Sequence, residues 1–447
     1  MTAKSVDLII KNAQVVLPSG TQPIHVVCHD GKIEAITQDL SGFVAVQEID
    51  ATGKHLLPGI IDSQVHFREP GLEHKETIAT GTKAAILGGV TSIVEMPNTS
   101  PPTTSAAALQ QKLDIAERSA WSNYAFYAGA SADNIEQLPA LEQLPGCAGI
   151  KVFMGSSFGS LLVDDTLILR DILSVCQRRI AIHAEDEQRL RARKEIAAHV
   201  AHVRAHPDWR DVTSALLATQ KVVGLAQETG AKLHILHISS AEEVDFLRQQ
   251  KQRMPQGQVT VETLPQFLHL HGPDCYQRRG TRVQMNPPIR ERYHQHALWD
   301  AVHDGTVDVI ATDHAPHTLA EKARPYPESP SGMPGVQTLL PLLLNFVHQG
   351  KLTLEKVVSL VCEGPCRVLG IAGKGRIEKG YDADLVLVDM QQEQLLDDAD
   401  MASQSGWTPF HGDRVVGFPV ATILAGELVM QNGQVVGRPR GKALRFD

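Results

Sequence analysis

Side chains that could bind a metal ion and an anion follow two apolar runs that lie far apart in the chain. The first run, residues 56–61, leads into Gln64, His66 and Arg68, and the alternation of a β-strand places these three side chains on one face. The second run ends at Asp313, whose carboxylate offers a metal ligand or a base. An imidazole suits a metal ion and a guanidinium suits an anionic group. The two stretches therefore predict a metal and an anion bound side by side, provided that the fold brings them together.

Strand-like apolar runs recur through the middle of the chain, and helical patterns separate them. The runs cover residues 56–66, 91–96, 123–127, 149–154, 179–183, 232–238, 258–263 and 307–313. The clearest helical patterns cover residues 77–87, 106–118, 166–176, 214–228 and 241–250. Eight β/α units in this order predict an α/β protein with a (β/α)8 TIM barrel over residues 56–367.

Both ends of the chain carry short strand-like pieces joined by turn residues. They cover residues 7–16, 25–37, 383–388, 420–424 and 427–436, with Asp30-Gly31 and Asn432-Gly433 among the turns. Because the two ends of a chain often lie close together in a domain, these pieces predict one small β-sandwich domain. It would combine residues 1–55 with residues 368–447.

Polar residues lie at or near the C-terminal ends of most of the predicted barrel strands. Catalytic groups of a TIM barrel lie at the C-terminal ends of its strands. The polar residues in or just after these strands are His66, Asn98, Lys151, His183, His237, Asn286 and Asp313. A lone histidine at a strand end is more often a structural, hydrogen-bonded residue than a ligand. Three histidines on separate strands of one barrel, together with an aspartate, favour a metal site.

Lys151 lies within an apolar strand, and its amine has two interpretations. The side chain could simply extend its ammonium group to the rim. Alternatively, burial favours the neutral amine, which can take up carbon dioxide to form a carbamate, an oxygen ligand able to bridge two divalent ions. Arg68 likewise belongs either to a surface ion pair or, beside a metal ligand, to a site for a substrate carboxylate.

The composition argues against nucleic-acid and membrane partners. The chain has 42 basic and 51 acidic residues, a net charge of −9 and no long basic tract. Its richest apolar run, residues 339–347, is interrupted by Pro341 and Asn345 and is too short to span a bilayer. The six cysteines are scattered, and the N-terminus enters a strand-like run without a signal pattern. We expect a cytoplasmic protein with reduced thiols.

Seven short motifs resemble, in the same order, those of the amidohydrolase superfamily, and most closely those of dihydroorotases of the longer bacterial type. They are DSQVHFREPG (62–71), EMPNT (95–99), GIKVFMGSS (149–157), IHAE (182–185), HILHISS (234–240), NPPIR (286–290) and ATDHAPH (311–317). The later stretch GRIEKGYDADLVLV, residues 375–388, resembles the return of that superfamily to its small β domain. The resemblance covers nearly the whole chain.

The resemblance implies a zinc-dependent, reversible hydrolysis of the cyclic amide of dihydroorotate to N-carbamoyl-L-aspartate. It implies ligands for one or two zinc ions at His66, carbamylated Lys151, His183, His237 and Asp313. It assigns binding of the substrate, chiefly of its carboxylate, to Arg68, Asn98, Asn286 and His317. Asp313 would also transfer the proton during catalysis.

One position departs from the superfamily pattern. Most members have His-x-His at the first barrel strand, whereas this chain has Gln64 two residues before His66. A glutamine amide oxygen is neutral and is a poor zinc ligand. We therefore expect the metal position that uses this strand to be weaker than the one held by Lys151, His183 and His237.

Related cyclic amidohydrolases, namely hydantoinase, dihydropyrimidinase and allantoinase, are the nearest enzyme alternatives. They share the metal scaffold but do not bind a carboxylate through an arginine two residues after the strand histidine, so Arg68 favours dihydroorotate. Another alternative is a non-catalytic dihydroorotase-like subunit that supports an aspartate carbamoyltransferase. The loss of metal ligands would be the sign of such a subunit. A purely structural barrel has no need of the polar rim. Besides a small-molecule substrate, the resemblance admits a second copy of the chain (a homodimer) or an aspartate carbamoyltransferase as a partner.

Two further expectations concern segments near the predicted rim. His199, His202 and His206 lie at helical spacing and are expected to face solvent. Residues 318–335 follow the strand of Asp313 and are rich in proline and glycine. Long loops of this kind at a barrel rim are usually functional, so we expect a mobile lid with few apolar anchors.

Overall fold

The computed structural model describes residues 3–155 and 159–447, so residues 156–157 at the end of the predicted GIKVFMGSS motif lie outside the described residues. The strands are, in chain order, β1 (Lys4–Leu17), β2 (Gly20–His29), β3 (Lys32–Thr37), β4 (Phe43–Asp50), β5 (His55–Pro58), β6 (Ile60–Val65), β7 (Val90–Glu95), β8 (Asn123–Gly129), β9 (Cys147–Phe153), β10 (Ile180–His183), β11 (Leu233–Ile235), β12 (Val259–Thr263), β13 (Val309–Ile310), β14 (Leu385–Leu395), β15 (Arg414–Leu424), β16 (Glu427–Gln431) and β17 (Gln434–Val435). The α-helices are α1 (Ile78–Leu87), α2 (Ala106–Ser119), α3 (Leu138–Leu141), α4 (Thr166–Val175), α5 (Glu187–Val200), α6 (His206–Trp209), α7 (Val212–Thr229), α8 (Ala241–Arg253), α9 (Pro265–His269), α10 (Asp274–Arg279), α11 (Arg292–Asp304), α12 (Leu319–Lys322), α13 (Leu339–His348), α14 (Leu354–Val358) and α15 (Gly364–Leu369). Across the described part of the chain, no helix combines the length and apolar character that crossing a membrane demands.

Strands β6 to β13 form a parallel sheet that closes on itself. Each strand pairs with its neighbour along the chain. Between the first and last strands, Val65 bridges His314 in parallel, and the amide of His66 donates to the carbonyl of His314 at 2.7 Å. The buried carboxylate of Asp62 accepts hydrogen bonds from the amide and the hydroxyl of Thr312, at 3.1 and 2.5 Å. The predicted (β/α)8 barrel is confirmed, and its closure brings the stretch that carries His66 and Arg68 next to the stretch that carries Asp313.

The terminal strands form a second sheet, which is built from both ends of the chain. Its order is β17-β16-β15-β14-β5-β1-β2-β3, and β4 also pairs with β1. The expected small β domain is therefore present, as one continuous sheet. The predicted strand 56–66 is divided between the two sheets, because β5 pairs with β1 and β14 whereas β6 begins the barrel. Gly59 lies at the division, where a Cβ would lie only 2.1 Å from Oγ1 of Thr91, so the crossing requires glycine.

The barrel strands are buried on both faces, as expected where helices cover a parallel sheet. All residues of β9 are buried, including Lys151. Helix caps then fix the loops that leave the strands. After β11, the hydroxyl of Ser240 accepts from the amide of Glu243 at 3.3 Å, and the carboxylate of Glu243 accepts from the amide of Ser240 at 3.1 Å. This capping box starts α8 and fixes the short backbone segment that carries His237.

One of the three histidines at helical spacing was placed wrongly by the sequence pattern. His199 on α5 and His202 are exposed, as expected. His206, the first residue of α6, is fully buried. The pattern fails because α5 ends at Val200 and the next residue, Ala201, adopts a left-handed conformation with φ 48°. The helical spacing therefore does not extend to His206.

Residues 318–335, for which the sequence predicts few apolar anchors, are held in place by polar contacts. The buried ammonium group of Lys322 donates to the carbonyls of Gln284, Pro330 and Gly332 at 3.0, 2.8 and 2.8 Å. The side-chain amide of Gln284 donates to the carbonyl of Ser329 at 2.8 Å. These anchors are polar groups bound to the backbone, which an apolar pattern in the sequence does not reveal.

Candidate active site

The predicted metal-binding side chains lie at the C-terminal side of the barrel. His66 follows β6, Lys151 lies in β9, His183 ends β10, His237 follows β11 and Asp313 follows β13. All five are buried, with relative exposures from 0% for Lys151 to 7% for Asp313. Burial lowers the pKa of His237 well below its ordinary value, and the charges of the other four all act on it as well. The protonation of His237 therefore depends on the other four side chains of the set.

The imidazoles and the carboxylate meet in two close pairs. Nε2 of His66 lies 3.0 Å from Oδ1 of Asp313, and Nδ1 of His183 lies 3.0 Å from Nε2 of His237. Nδ1 of His66 also faces an oxygen, Oδ1 of Asn98, at 2.7 Å. Because burial lowers the pKa of His66, its ring is neutral at physiological pH and has one proton for two oxygen neighbours. A bound cation would satisfy the ring nitrogen that lacks the proton.

Several buried polar atoms of this cluster lack hydrogen-bond partners among the described residues. They are Nζ of Lys151, Nδ1 of His237 and Oε1 of Gln64. Unpaired buried polar groups cost free energy and are rare in native proteins. Imidazole nitrogens and a carboxylate are ligands that zinc prefers. The residues present therefore fit the divalent metal that the sequence predicts.

The surroundings of Lys151 favour a neutral amine. The side chain is fully buried, and its Nζ lies 4.5 Å from the centroid of the Phe153 ring. Burial lowers the pKa of Lys151 to about 7, against the opposing charges of Asp313 and Glu262. Since the neutral amine is the form that reacts with carbon dioxide, this environment is compatible with the carbamate, which stays a prediction.

A second layer of charged residues holds His183. Nε2 of His183 donates to Glu185 at 2.8 Å, and the guanidinium of Arg210 donates to both oxygens of Glu185 at 3.0 and 2.6 Å. Because an ionised carboxylate only accepts, Nε2 of His183 carries the proton and Nδ1 presents its lone pair towards His237. The sequence did not predict this support for His183. Its one signal was the position of Glu185 in the IHAE motif, and Arg210 had none.

Gln64 contacts the carboxylate of Asp313. Its Nε2 donates to Oδ1 of Asp313 at 3.1 Å, and the same oxygen faces His66. Burial by itself raises the pKa of Asp313, but the hydrogen bond with His66 leads the interactions that outweigh it and hold the pKa below the ordinary value. Asp313 is therefore ionised at neutral pH and can accept a proton at its carboxylate.

The guanidinium of Arg68 is buried beside His317. Its Nε donates to the carbonyl of Pro316 at 3.2 Å, and its Nη2 lies 3.5 Å from Nε2 of His317. Burial lowers the pKa of Arg68 to about 10, which leaves it charged at neutral pH. Within the described ranges no carboxylate oxygen lies within 4.0 Å of this guanidinium. The site therefore has a buried cation that an anionic ligand could pair.

Asn286 joins the same end of the site through two intermediate residues. Its Oδ1 accepts a hydrogen bond from Nε2 of His206 at 2.9 Å. The hydroxyl of Ser331 lies 3.4 Å from that nitrogen, and the carbonyl of Ser331 lies 3.1 Å from Nε2 of His317. These contacts connect Asn286 to the Arg68–His317 pair. Asn98, in contrast, contacts the cluster of predicted metal ligands through His66.

Comparison with known proteins identifies the family, because a model described as Amidohydrolase family matches residues 55–429. The chain belongs to the amidohydrolase family. A dihydroorotase of Methanosarcina mazei is 35% identical over 98% of this chain and 97% of its own length. An allantoinase of Desulfitobacterium hafniense is 33% identical over 98% of both chains. The solved structure of an L-hydantoinase (dihydropyrimidinase) from Arthrobacter aurescens is 30% identical, has a TM-score of 0.93 and matches over 97% of this chain and 98% of its own. The protein is an enzyme of the cyclic amidohydrolase kind.

The geometry of this cyclic amidohydrolase gives its side chains different chemical roles. A bound divalent cation would polarise the amide carbonyl and make hydroxide available at neutral pH. The side chains that would hold it are His66, Lys151 as its carbamate, His183, His237 and Asp313. Asp313, ionised and hydrogen-bonded to Gln64, is placed to take up a proton and pass it to the leaving amide nitrogen. Arg68 is placed to bind an anionic group of the substrate.

Proposed function

We propose that this cyclic amidohydrolase is a dihydroorotase, which acts in de novo pyrimidine biosynthesis on the ring of (S)-dihydroorotate. Hydrolysis adds water across one cyclic amide bond and yields N-carbamoyl-L-aspartate, and ring closure reverses the step. The observation that carries the proposal is Arg68. It is a buried and charged guanidinium for which no described side chain supplies a carboxylate partner within 4.0 Å.

A buried charge without a counter-ion is costly, so a binding site is a better explanation of Arg68 than a structural role. The carboxylates of Asp313, Glu95, Glu321 and Glu76 act on its pKa, but only from a distance. Dihydroorotate carries a carboxylate on its ring, whereas allantoin and unsubstituted hydantoin do not. A planar guanidinium can bind that carboxylate through two parallel hydrogen bonds.

We further propose that the metal is zinc and that Lys151 carries a carbamate. The ligand types support zinc, and the burial of the Lys151 amine, which lowers its pKa to about 7, supports the neutral form that carbamylation needs. Mass analysis in acid would destroy the carbamate. The test is therefore whether short carboxylic acids restore activity to Lys151→Ala, while Lys151→Arg stays inactive because a guanidinium forms no carbamate.

An uncharged cyclic amide is the second candidate substrate, because relatives of similar identity are named allantoinase and L-hydantoinase. The test is a panel of dihydroorotate, N-carbamoyl-L-aspartate, allantoin, hydantoin and dihydrouracil, assayed with the zinc-loaded protein. We expect kcat/KM for dihydroorotate to exceed that for each uncharged ring by roughly 10- to 100-fold, the range for a hydrogen bond to a charged group. Faster turnover of an uncharged ring would establish the second candidate instead. No turnover of any of them by metal-loaded protein would favour the non-catalytic subunit.

A further inference from the structure

His206 is fully buried where three segments of the barrel rim meet. Its Nε2 lies 3.0 Å from the carbonyl of Met285 and 2.9 Å from Oδ1 of Asn286. Its Nδ1 lies 3.3 Å from the hydroxyl of Tyr326, in the loop 318–335. His206 thus joins α6 to the loop after β12 and to the loop after β13.

These partners decide which ring nitrogen of His206 carries the proton. Burial, together with the charge of Arg210, lowers the pKa of His206 to about 3, so the ring is neutral and has a single N–H. The carbonyl of Met285 can only accept, so Nε2 carries the hydrogen. Nδ1 is then an acceptor, and the hydroxyl of Tyr326 donates to it. The tautomer of His206 therefore follows from its surroundings.

The proton on Nε2 of His206 also fixes the orientation of the Asn286 amide. An N–H at Nε2 of His206 requires the oxygen of Asn286, not its NH2 group, on that side. Nδ2 of Asn286 then has two N–H donors, and no acceptor among the described residues hydrogen-bonds to it. Asn286 is only partly buried, so part of this residue is open to solvent or to a ligand. Through Ser331 its N–H donors belong to the same end of the site as His317 and Arg68.

We propose that His206 is a positioning residue for substrate binding. It fixes the amide of Asn286 so that its two N–H donors face an acceptor oxygen of the bound cyclic amide or of its carbamoyl product. Tyr326 supports this arrangement by donating to Nδ1. The inference rests on the proposed function only for the identity of the substrate, because any cyclic amide presents such an oxygen.

The experiment compares four variants of the zinc-loaded protein on dihydroorotate: His206→Phe, Asn286→Ala, the double variant and His206→Gln. We expect each of His206→Phe and Asn286→Ala to raise KM roughly fivefold to tenfold with kcat changed less than about twofold, the effect of one lost neutral hydrogen bond made in both ground and transition state. The double variant should be no worse than Asn286→Ala, because both changes act through one amide. His206→Gln should restore most of the affinity, since its amide N–H can replace Nε2–H.

His199→Phe is the matched control, because it makes the same substitution at an exposed position of α5 and should change neither KM nor Tm. A lower Tm and kcat in His206→Phe with KM unchanged would overturn the proposal, as would additive effects in the double variant. If His206→Phe does not fold, Asn286→Asp tests the same point, because it keeps an oxygen for His206 and removes the NH2 donors. An unchanged KM in Asn286→Asp would contradict the proposal. If the wild type prefers an uncharged cyclic amide, the proposed function fails, and the same variants on that substrate still decide the role of His206.

Discussion

At the scale of single residues, the site contains buried unpaired groups and left-handed backbone conformations. Both cost free energy, and a purely structural barrel has no need of them. Arg68 and Lys151 are buried, yet within the described residues the first has no carboxylate partner and the second has no hydrogen bond. Arg68, His237 and Asp313 also adopt left-handed backbone conformations, with φ of 65°, 38° and 49°. Strain and unpaired polar groups cluster where a ligand or a reaction compensates for them. Such costs therefore support a binding and catalytic role for this end of the barrel.

Arg68→Met should damage turnover of dihydroorotate far more than turnover of hydantoin. Loss of the guanidinium leaves the substrate carboxylate without a partner, which we expect to cost roughly 2–5 kcal/mol of transition-state binding. The measurement is kcat/KM on both substrates. Arg170→Met is the control, because Arg170 is a half-exposed arginine paired with Glu228 on the outer helices. An equal loss on both substrates would argue against carboxylate recognition.

Gln64 should make the two metal positions unequal. Its amide nitrogen is engaged by Asp313 at 3.1 Å, and its neutral oxygen is a weak ligand. Titration of apo-protein with zinc should show one tight ion and a second that binds at least about tenfold more weakly, a gap of 1.4 kcal/mol or more. Gln64→His should tighten the second ion without being needed for activity. Two equally tight ions in the wild type, or none, would refute this expectation.

At the scale of elements, the loop 318–335 is held to the loop after β12 by a buried ammonium group. Lys322 on α12 reaches three backbone carbonyls, and the hydroxyl of Thr281 donates to the carbonyl of Lys322 itself. The loop also carries Tyr326 and Ser331, which contact His206. Opening of this loop would therefore disturb the substrate side of the site.

Lys322→Met should loosen the loop and alter the pH dependence of stability. Burial lowers the pKa of Lys322 from 10.5 to about 7. Between these values the unfolded chain binds the proton that the folded chain has released, so the contribution of Lys322 to the free energy of unfolding rises with pH across this window. Below about pH 7 both states hold the proton, and the contribution is constant. The advantage of the wild type over Lys322→Met should thus grow from pH 7 to pH 10, as measured by chemical denaturation.

The matched control for this change is Arg324→Met, an exposed cation in the same loop. It should leave both the pH dependence and the hydrogen exchange of residues 318–335 unchanged, whereas Lys322→Met should speed that exchange. A difference between wild type and Lys322→Met that does not vary with pH would show that Lys322 keeps its ordinary pKa in the fold.

At the scale of the whole molecule, the β domain contributes to the barrel rim through the connection between β14 and β15. Trp407 is fully buried there, and its indole N–H donates to the carbonyl of His317 at 2.7 Å. The backbone amide of Gln404 donates to Oε1 of Glu76 at 3.1 Å. The other oxygen of Glu76, Oε2, lies 3.2 Å from Nε2 of His314. The terminal domain thus helps to hold the segment that carries Asp313 and the anion-binding end.

Trp407→Phe should raise KM for dihydroorotate roughly threefold. The carbonyl of His317 loses its donor, and the imidazole of His317 is then no longer held in its position beside Arg68. It should also lower stability by about 1 kcal/mol. Trp299→Phe is the control, since its indole donates to the carbonyl of Leu268 at 3.2 Å from α11. It should lose similar stability without a change in KM. Matching KM values for the two variants would remove the proposed link between the domain and the site.

Much of this protein could be read from the sequence, because the signals concerned are local. Helix and strand periodicities predicted the barrel, and polar residues at successive strand ends predicted which side chains would gather at one rim. Motif order was sufficient to predict the family. Even here the length of an element was less certain, since the run 56–66 breaks at Gly59 where two sheets meet.

Only the tertiary structure decided how the gathered side chains contact one another. Gln64 donates to Asp313, Arg210 reaches Glu185, and Lys322 binds the carbonyl of Gln284, and none of these pairs is close in sequence. His206 changed from an expected surface residue to a buried partner of Asn286, because a left-handed residue ended the helix before it. Periodicity indicates which face of an element is apolar. Whether a polar side chain can be buried, and which groups it contacts, depends on the donors and acceptors that the rest of the chain brings to it.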